Sequence, residues 1–342
     1  MGTDNVDLHE ALQLDCAEAT ERITAQLRHL VSRVFRRRGL IVALSGGIDS
    51  SVVAALSVRA LGKERVFGLL MPEKDSSPDT LRLSRLVAES LGVESDYEDI
   101  TPVLEAVGCY RRRNDAIRSV IPEFTDDSKC KIVLPPVTDD DRLRIFSVVA
   151  ELPDGRQIKK RLTPKAYFTI VAASNFKQRV RKMFEYFHAD RLNYAVTGTP
   201  NRQEYDQGFF VKLGDGTADV KPIAHLYKQQ VYQMAEFLGV PEEICQRPPT
   251  TDTYSMAQSQ EEFYFSVPYD QMDYCLYGIN HGVDPAVVGQ ATGLTAEQVQ
   301  RVYRDIEGKR STTKYLHMPP VLLEAVKEIA ENHTTAQVGA DQ

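Results

Sequence analysis

Several common structural devices are missing from this sequence. Its five cysteines are odd in number and include no C-x-x-C pair, so neither a disulfide framework nor a thiolate metal site is encoded. The stretch MGTDNVDLHEAL at the amino terminus is polar and lacks the apolar core of a signal peptide. No segment approaches the roughly 18 apolar residues that a membrane span needs. These absences predict a cytoplasmic protein with no membrane partner.

Positive charge is also in short supply. The chain has 41 Lys and Arg against 48 Asp and Glu, a net charge of -7, and its pI is near 5.6. Binding to nucleic acid depends on a surplus of cations on one face, so no nucleic-acid partner is expected. The 342 residues are 42% hydrophobic, enough to bury a full core in one large domain or two modest ones.

Short apolar runs alternate with helical periodicity in the first hundred residues. Such runs are typical of strands buried on both faces, and alternation with helices predicts an α/β fold with a doubly wound, Rossmann-like parallel sheet. Ser77 and Pro78 provide the start of one helix as N-cap and first helical residue. The predicted strands cover 40–44, 65–71 and the region around 95–100, and the predicted helices cover 18–35, 49–60 and the residues after Ser77 and after 101.

The pattern changes between residues 124 and 165, which are rich in β-branched residues around a Pro-Asp-Gly turn at 153–155. These features predict a β-rich insertion built as a hairpin. The α/β pattern then resumes, and beyond Pro268 the chain is expected to form a helical carboxyl-terminal part of three short helices. Other predicted elements are helices at 173–189 and 226–238 and a strand at 193–199.

The turn after the first predicted strand reads SGGIDSS. It matches neither G-x-x-x-x-G-K-[ST] nor G-x-G-x-x-G. Glycines after a buried strand let successive backbone N–H groups point into one concavity, where the start of the next helix adds positive potential. A phosphate chain bound whole, with Mg²⁺ held by Asp49, suits this turn, although an ordinary tight turn with an N-cap remains an alternative. The candidate phosphate ligands are Ser45, Gly46, Gly47, Asp49, Ser50 and Ser51.

The S-G-G-x-D-S pattern resembles that of the N-type ATP pyrophosphatases. Three further blocks, in order, resemble the ammonia-dependent NAD synthetases: NFKQRVRKMFEYFHADRLNYAVTGTPNRQE, GFFVKLGDGTADVKPIAHLYKQQV and RPPTTDTY. The resemblance implies an adenine nucleotide alpha hydrolase-like fold in a single domain spanning 1–342, with 124–165 inserted in it. It also implies a homodimer that uses ATP, Mg²⁺, deamido-NAD and ammonia.

The resemblance assigns roles at the ATP end of the site. Arg181, Thr199, Lys228 and Thr250 would join the turn in binding ATP. Asp49, Glu204 and Thr250 would bind metal, and Asp49, Asp215 and Lys228 would be the catalytic residues. Taken alone, TPNRQE at 199–204 could equally be an ordinary turn into a helix.

The resemblance also assigns the substrate end. Asn175 and Arg179 share one helix face, which on its own could be a solvated basic face. The tail KRSTTKYLHMPP departs from the commoner family form, so either Lys314 or His317 would serve there, with Lys314 preferred. The implied deamido-NAD ligands are Asn175, Arg179, Lys212, Asp215, Asp219 and Lys314.

Two other functions stay open. One is an amide ligase of the same superfamily that adenylates a different carboxylate, and the other is a non-catalytic nucleotide-binding dimer with the insertion as its interaction surface. A tRNA-thiolating relative would need paired cysteines and a basic surface, which this sequence lacks. The length leaves no room for a glutaminase domain, so free ammonia or a separate ammonia-supplying partner is the expected nitrogen source.

Overall fold

Strands and helices alternate through the first hundred residues of the computed structural model, which describes residues 7–135, 145–248, 253–265, 267–324 and 326. The predicted start of the fourth helix is confirmed, because Ser77 accepts a hydrogen bond from the Asp79 N–H at 3.3 Å and Pro78 is its first residue. The second helix continues as a π-helical turn, Leu30–Val34. The elements are α1 (Leu8–Ala11), α2 (Cys16–His29), β1 (Leu40–Ala43), α3 (Ile48–Leu61), β2 (Val66–Leu70), α4 (Pro78–Leu91) and β3 (Glu94–Tyr97).

The middle of the chain contains a second, antiparallel sheet. Its elements are α5 (Thr101–Ala106), α6 (Cys109–Arg118), β4 (Lys129–Val133), β5 (Ser147–Glu151), β6 (Gln157–Arg161), α7 (Pro164–Leu192) and β7 (Ala195–Val196). The β5–β6 hairpin turns at Gly155 as predicted, but β4 pairs with β5 and makes the sheet three-stranded. The long helix begins nine residues before the predicted start at 173, because Thr163 caps the Ala166 N–H at 3.2 Å and Pro164 opens the first turn.

The last part of the chain is helical. Its elements are α8 (Arg202–Gln207), α9 (Lys228–Phe237), α10 (Glu242–Cys245), α11 (Tyr269–His281), α12 (Pro285–Thr292) and α13 (Ala296–His317). A π-helical turn, Glu261–Phe265, precedes α11. The final helix spans 22 residues rather than ending near 306, so the polar tail around Lys314 continues it.

The parallel sheet has the strand order β3-β2-β1-β7. Successive strand side chains point to opposite faces, so Val42 packs with α2, α3, α4 and α9, whereas Ile41 packs with α5, α6 and α7. Helices therefore cover both faces, and the predicted doubly wound sheet is confirmed.

The strand β7 is shorter than the predicted 193–199. On its outer edge, the Asp219 carboxylate accepts the Val196 N–H at 2.7 Å, where a further strand would otherwise pair. Thr197 then forms an isolated bridge with Val220. The chain leaves the sheet at this point, which places Thr199 just beyond the carboxyl edge.

All five cysteines carry free thiols. In the described part of the chain, no helix combines the length and the apolar character that crossing a membrane requires.

Candidate nucleotide and substrate site

A cavity of ≈ 950 Å³ opens at the carboxyl end of the parallel sheet, between the turn after β1 and the helices α7 and α13. Ligands bind at this edge of open α/β sheets. The predicted site residues that line it are Ser45, Gly47, Asp49, Ser50, Asn175, Arg179, Arg181, Thr199, Glu204, Lys212, Asp215 and Lys228. Gly46, Ser51, Asp219 and Lys314 do not line it. The predicted ligand Thr250 lies outside the described residues.

The turn between β1 and α3 is held by its own hydroxyls. The Ser45 and Ser50 Oγ atoms lie 3.1 Å apart, and the Gly47 N–H donates to Ser45 Oγ at 3.3 Å. Ser51 donates to the Gly47 carbonyl at 2.8 Å and is fully buried, so it stabilises the turn from behind. Gly47 caps α3 without a side chain, which leaves the positive end of the helix open to the cavity.

Gly46 is required by the shape of the turn. Its φ of +69° lies in the left-handed region, and a Cβ there would come within 2.7 Å of Leu83 Cβ on α4. The Ser84 hydroxyl on the same helix donates to the Leu44 carbonyl at 2.8 Å. The helix α4 thus fixes the turn from outside the cavity.

Asp49, in the first turn of α3, accepts hydrogen bonds from residues at the starts of α8 and α9. Its Oδ2 accepts from Lys228 Nζ at 2.5 Å, and its Oδ1 accepts from Asn201 Nδ2 at 3.1 Å. Lys228 is 1% exposed. Burial disfavours its positive charge, but the nearby carboxylates of Asp49 and Glu204 outweigh burial and raise the pKa of Lys228. The lysine therefore stays charged beside the turn.

Glu204 faces the same charge cluster. It accepts from Gln260 Nε2 at 3.0 Å and from the Asn201 N–H at 3.2 Å, as part of a capping box that begins α8. Burial, reinforced by the negative charge of Asp49, raises the pKa of Glu204 to about 8. Two neighbouring carboxylates that repel each other form a hard oxygen donor set that fits Mg²⁺. Sequence reasoning missed Asn201, although the N-x-x-E capping pattern could have revealed it.

Asp273 supports Lys228 from the helical part of the chain. Its carboxylate accepts from the Lys228 N–H at 3.1 Å, the Gln229 N–H at 2.7 Å and Gln203 Nε2 at 2.7 Å. It therefore caps the start of α9 and connects α8, α9 and α11. Burial raises the pKa of Asp273 to about 7.

The loop that carries Asp215 lies at the other end of the cavity. The Val211 N–H donates to Asp215 Oδ1 at 2.7 Å, and Gly216 is packed so closely that a Cβ would come within 2.3 Å of Phe210. Burial raises the pKa of Asp215 despite the charges of Lys182 and Arg181 on α7. The carboxyl group is thus held in a tight loop at this end of the cavity.

Lys212 joins this loop to the end of α13. Its ammonium donates to the carbonyls of Tyr315 and Met318, each at 2.7 Å, and lies 4.3 Å from the Tyr315 ring centroid. Its own carbonyl accepts from Arg179 Nε at 3.3 Å. Lys314 is exposed on the last turn of this helix.

The other two residues considered at this end are placed as follows. His317 packs edge-on against Tyr205 and Phe210, with ring centroids 4.9 and 5.0 Å apart. The Asp219 carboxylate accepts hydrogen bonds from the Val196 N–H and, at 3.4 Å, from the Tyr186 hydroxyl. It therefore stabilises the edge of the sheet.

A buried ion cluster that sequence reasoning missed lies beside the cavity. Lys177 on α7 is 1% exposed. It donates to Glu73 Oε1 and Asp75 Oδ2, both at 2.7 Å, and to the Thr253 carbonyl at 2.8 Å. Arg113 completes the cluster through Asp75, so two cations face two carboxylates. The cluster connects the loop after β2, α6, α7 and the segment at Thr253.

Asp96, Glu98 and His188 form a group with the composition of a metal site. However, Arg191 donates to His188 Nδ1 at 3.0 Å, which leaves the ring proton on Nε2 facing Glu98 Oε1 at 3.0 Å. The same guanidinium lies 3.7 Å from Asp96. A nitrogen that carries its proton cannot ligate a cation, so this group is a hydrogen-bonded ion network.

A hydroxyl-rich turn at a helix start, with a Lys–Asp pair beside it at the carboxyl edge of a doubly wound sheet, defines a nucleotide-binding α/β protein. Comparison with known proteins identifies the family. The NAD synthase profile matches residues 19–120 and 142–314. A protein of Mesorhizobium japonicum named NH(3)-dependent NAD(+) synthetase is 60% identical over 311 residues, which are 91% of this chain and 98% of that protein. The chain belongs to the NAD synthase family.

Solved structures share the fold. The NMN synthetase from Francisella tularensis superposes with a TM-score of 0.63 at 21% identity, over 92% of this chain and 100% of that one. The NH3-dependent NAD synthetase from Campylobacter jejuni, in complex with the nitrate ion, gives a TM-score of 0.59 at 21% identity, over 91% and 100%. The profile match omits residues 121–141, which include β4.

Proposed function

We propose that this protein is an ammonia-dependent NAD synthetase. It uses ATP to convert the nicotinate carboxylate of deamido-NAD into the amide of NAD, with release of AMP and pyrophosphate. The observation that carries the proposal is that one cavity brings the Ser45–Ser50 turn together with the Asp215 loop. The 60% identity to a relative of this name supports the same assignment.

ATP binds with its phosphates at the turn. The open start of α3, the Ser45 and Ser50 hydroxyls and the Lys228 ammonium face the phosphate chain. Arg181, whose Nε donates to the Met71 carbonyl just after β2 at 3.3 Å, and Thr199, just after β7, contact the nucleotide from the two strands that flank β1. The turn holds the phosphate chain whole, and pyrophosphate leaves as a unit because the α-phosphorus is the atom attacked.

Mg²⁺ binds to Asp49 and Glu204. The ion neutralises phosphate charge when it is bound. A cation bound there would offset the repulsion between the two carboxylates, because it attracts both anions. Thr250 is proposed as a further ligand.

Deamido-NAD occupies the opposite end of the cavity, against Asn175, Arg179, Lys212 and Asp215. A carboxylate oxygen of its nicotinate attacks the α-phosphorus of ATP, and the bond to pyrophosphate breaks. Ammonia then attacks the acyl carbon, AMP leaves with its phosphate oxygen, and the extra proton on nitrogen is released to solvent. Catalysis here is mostly positioning and charge neutralisation, since the residues described supply no obvious covalent nucleophile.

The protein acts as a homodimer. The outer side of α7 carries an apolar stripe, with Phe168 68%, Met183 53% and Phe187 58% exposed. These positions recur at helical spacing on one face, which favours packing against the same face of a second copy. M183E and F187E are expected to give monomers in sedimentation velocity, whereas V34E, at another exposed apolar site, retains the dimer. A wild-type protein that sediments as a monomer contradicts this part of the proposal.

The first test of function is turnover by the full-length protein with Mg²⁺-ATP, deamido-NAD and ammonium chloride, with each omitted in turn. NAD and AMP are expected in equal amounts from the complete mixture alone. D49N is expected to lower the rate about 100-fold or more, as loss of a charge-stabilising group does. D154N, in the exposed β5–β6 turn, serves as the control and keeps the wild-type rate.

Other outcomes of this assay identify the alternatives. AMP formed with nicotinate mononucleotide but not with deamido-NAD would indicate an amide ligase for another carboxylate. ATP binding without AMP formation would indicate a silent nucleotide-binding dimer. Glutamine in place of ammonium is expected to give no NAD, in keeping with free ammonia or a separate ammonia-supplying partner in the cytoplasm.

A further inference from the structure

Lys182 on α7 presents an incompletely bonded ammonium to the cavity. The residue is 6% exposed and lines the cavity wall. Its Nζ donates to Glu185 Oε2 at 2.6 Å. An ammonium has three N–H donors, so two of them have no partner among the described residues. Buried donors are normally satisfied, and the open side of this one faces the cavity.

Lys177, five residues earlier on the same helix, shows the contrast. Lys177 is also buried, but all three of its N–H donors go to protein acceptors: Glu73, Asp75 and the Thr253 carbonyl. The protein therefore provides full partners where the lysine is structural. Lys182 has one partner and a cavity, which is the arrangement expected of a group that binds a ligand.

Packing does not explain Lys182. A buried ion pair with Glu185 contributes little net stability, and apolar side chains of similar volume often serve as well or better. Glu185 is 4% exposed on the next turn, so it holds the ammonium in place rather than exposing it to solvent. Arg181 and Asp215 also line the cavity, and Lys221 lies within electrostatic range of both Lys182 and Asp215. Three cations therefore face the two carboxyl groups of Glu185 and Asp215, which leaves this wall able to receive an additional anion.

We propose that Lys182 is a substrate-binding residue that donates its free N–H groups to an anionic oxygen of the dinucleotide. This inference rests on the proposed function. The oxygen belongs either to the nicotinate carboxylate or to the pyrophosphate of deamido-NAD, since both offer the same chemistry. The carboxylate is the more consequential source, because it is the group in which deamido-NAD differs from the product NAD.

The test measures binding of deamido-NAD, NAD and ATP to the full-length protein by calorimetric titration. K182M is expected to weaken deamido-NAD binding between about tenfold and a hundredfold, as loss of a charge-assisted hydrogen bond does. K182R, which keeps a cation there, recovers most of the affinity. ATP affinity stays at the wild-type level.

The two ligands identify the oxygen. If NAD affinity is unchanged in K182M, the carboxylate is the anion bound; if NAD weakens as much as deamido-NAD, the pyrophosphate is. Thermal melts check folding, and K182Q, which keeps a hydrogen bond to Glu185, replaces K182M if that variant does not fold. Deamido-NAD affinity within twofold of wild type in a folded variant overturns the inference. Failure of the wild type to bind deamido-NAD would instead overturn the proposed function.

Discussion

Replacement of Lys177 by methionine should destabilise the protein far more than loss of a surface lysine. The change removes three hydrogen bonds. It leaves the buried carboxylates of Glu73 and Asp75 facing the Arg113 guanidinium without the Lys177 ammonium. Loss of one partner from a buried ion pair costs about 3–5 kcal/mol. Unfolding entropy of about 2.1 cal/mol/K per residue gives about 0.7 kcal/mol/K for 342 residues. K177M should therefore lower Tm by about 6 °C.

The matched control is K129M. Lys129 lies 3.9 Å from Glu151, and its side chain is 61% exposed. Partly exposed pairs contribute about 0–1 kcal/mol, so circular dichroism melts should show a fall of about 1 °C or less. Equal falls in Tm for the two variants would refute the argument that burial makes the difference.

The pH dependence gives a second check on the same cluster. Burial opposes ionisation of Asp75, but Lys177 and Arg113 outweigh burial and lower its pKa. A lowered pKa contributes stability above the usual aspartate pKa, and this contribution is lost as the pH falls through the folded value. The difference in Tm between wild type and K177M should therefore narrow below about pH 4.

Three more predictions follow from the site. G46A places a side chain at a φ of +69° against Leu83. The backbone strain and overpacking cost about 2–5 kcal/mol, so Tm should fall by about 3–7 °C. Calorimetry should show weaker ATP binding. Asp273 has a folded pKa of about 7, above its unfolded value, so stability should fall as the pH rises from about 4 through 7; melts of D273N should lack this dependence. K212M releases the Tyr315 carbonyl, and the last turn of α13 should exchange its amide hydrogens faster, whereas unchanged exchange would contradict the bond.

The local features were predictable from the sequence because their causes are local. The apolar run before Ser45, the glycines after it and the Ser77–Pro78 helix start all act within a few residues. Thr163–Pro164 carries the same start signal, but it lies inside residues 124–165, which are predicted as the β-rich insertion, so the predicted helix begins too late. Such helix starts depend on capping residues that lie within a few positions of one another, so a short stretch of sequence is enough to predict them.

The remaining features depend on contacts between distant residues. Lys177 and its partner Glu73 are 104 positions apart, and Asp75 and Thr253 belong to two further segments. No residue near NFKQR indicates that Lys177 has a protein acceptor for each of its three N–H groups, whereas Lys182 has one acceptor among the residues that the structure describes. The prediction of a hairpin missed β4 because its partner β5 begins 14 residues after β4 ends, across a long connection. Such pairings are decided by the assembled core.

The helix α7 has one more consequence. At about 1.5 Å per residue, its 29 residues make a rod of about 43 Å that carries both the buried Lys177 and Lys182 and the exposed Phe168, Met183 and Phe187. A rod of this length cannot shift on its outer side without carrying its inner side along. A second copy that packed on Phe168 and Phe187 would therefore act on the same rigid helix that holds Lys177 and Lys182, and dimerisation would be coupled to substrate alignment through α7.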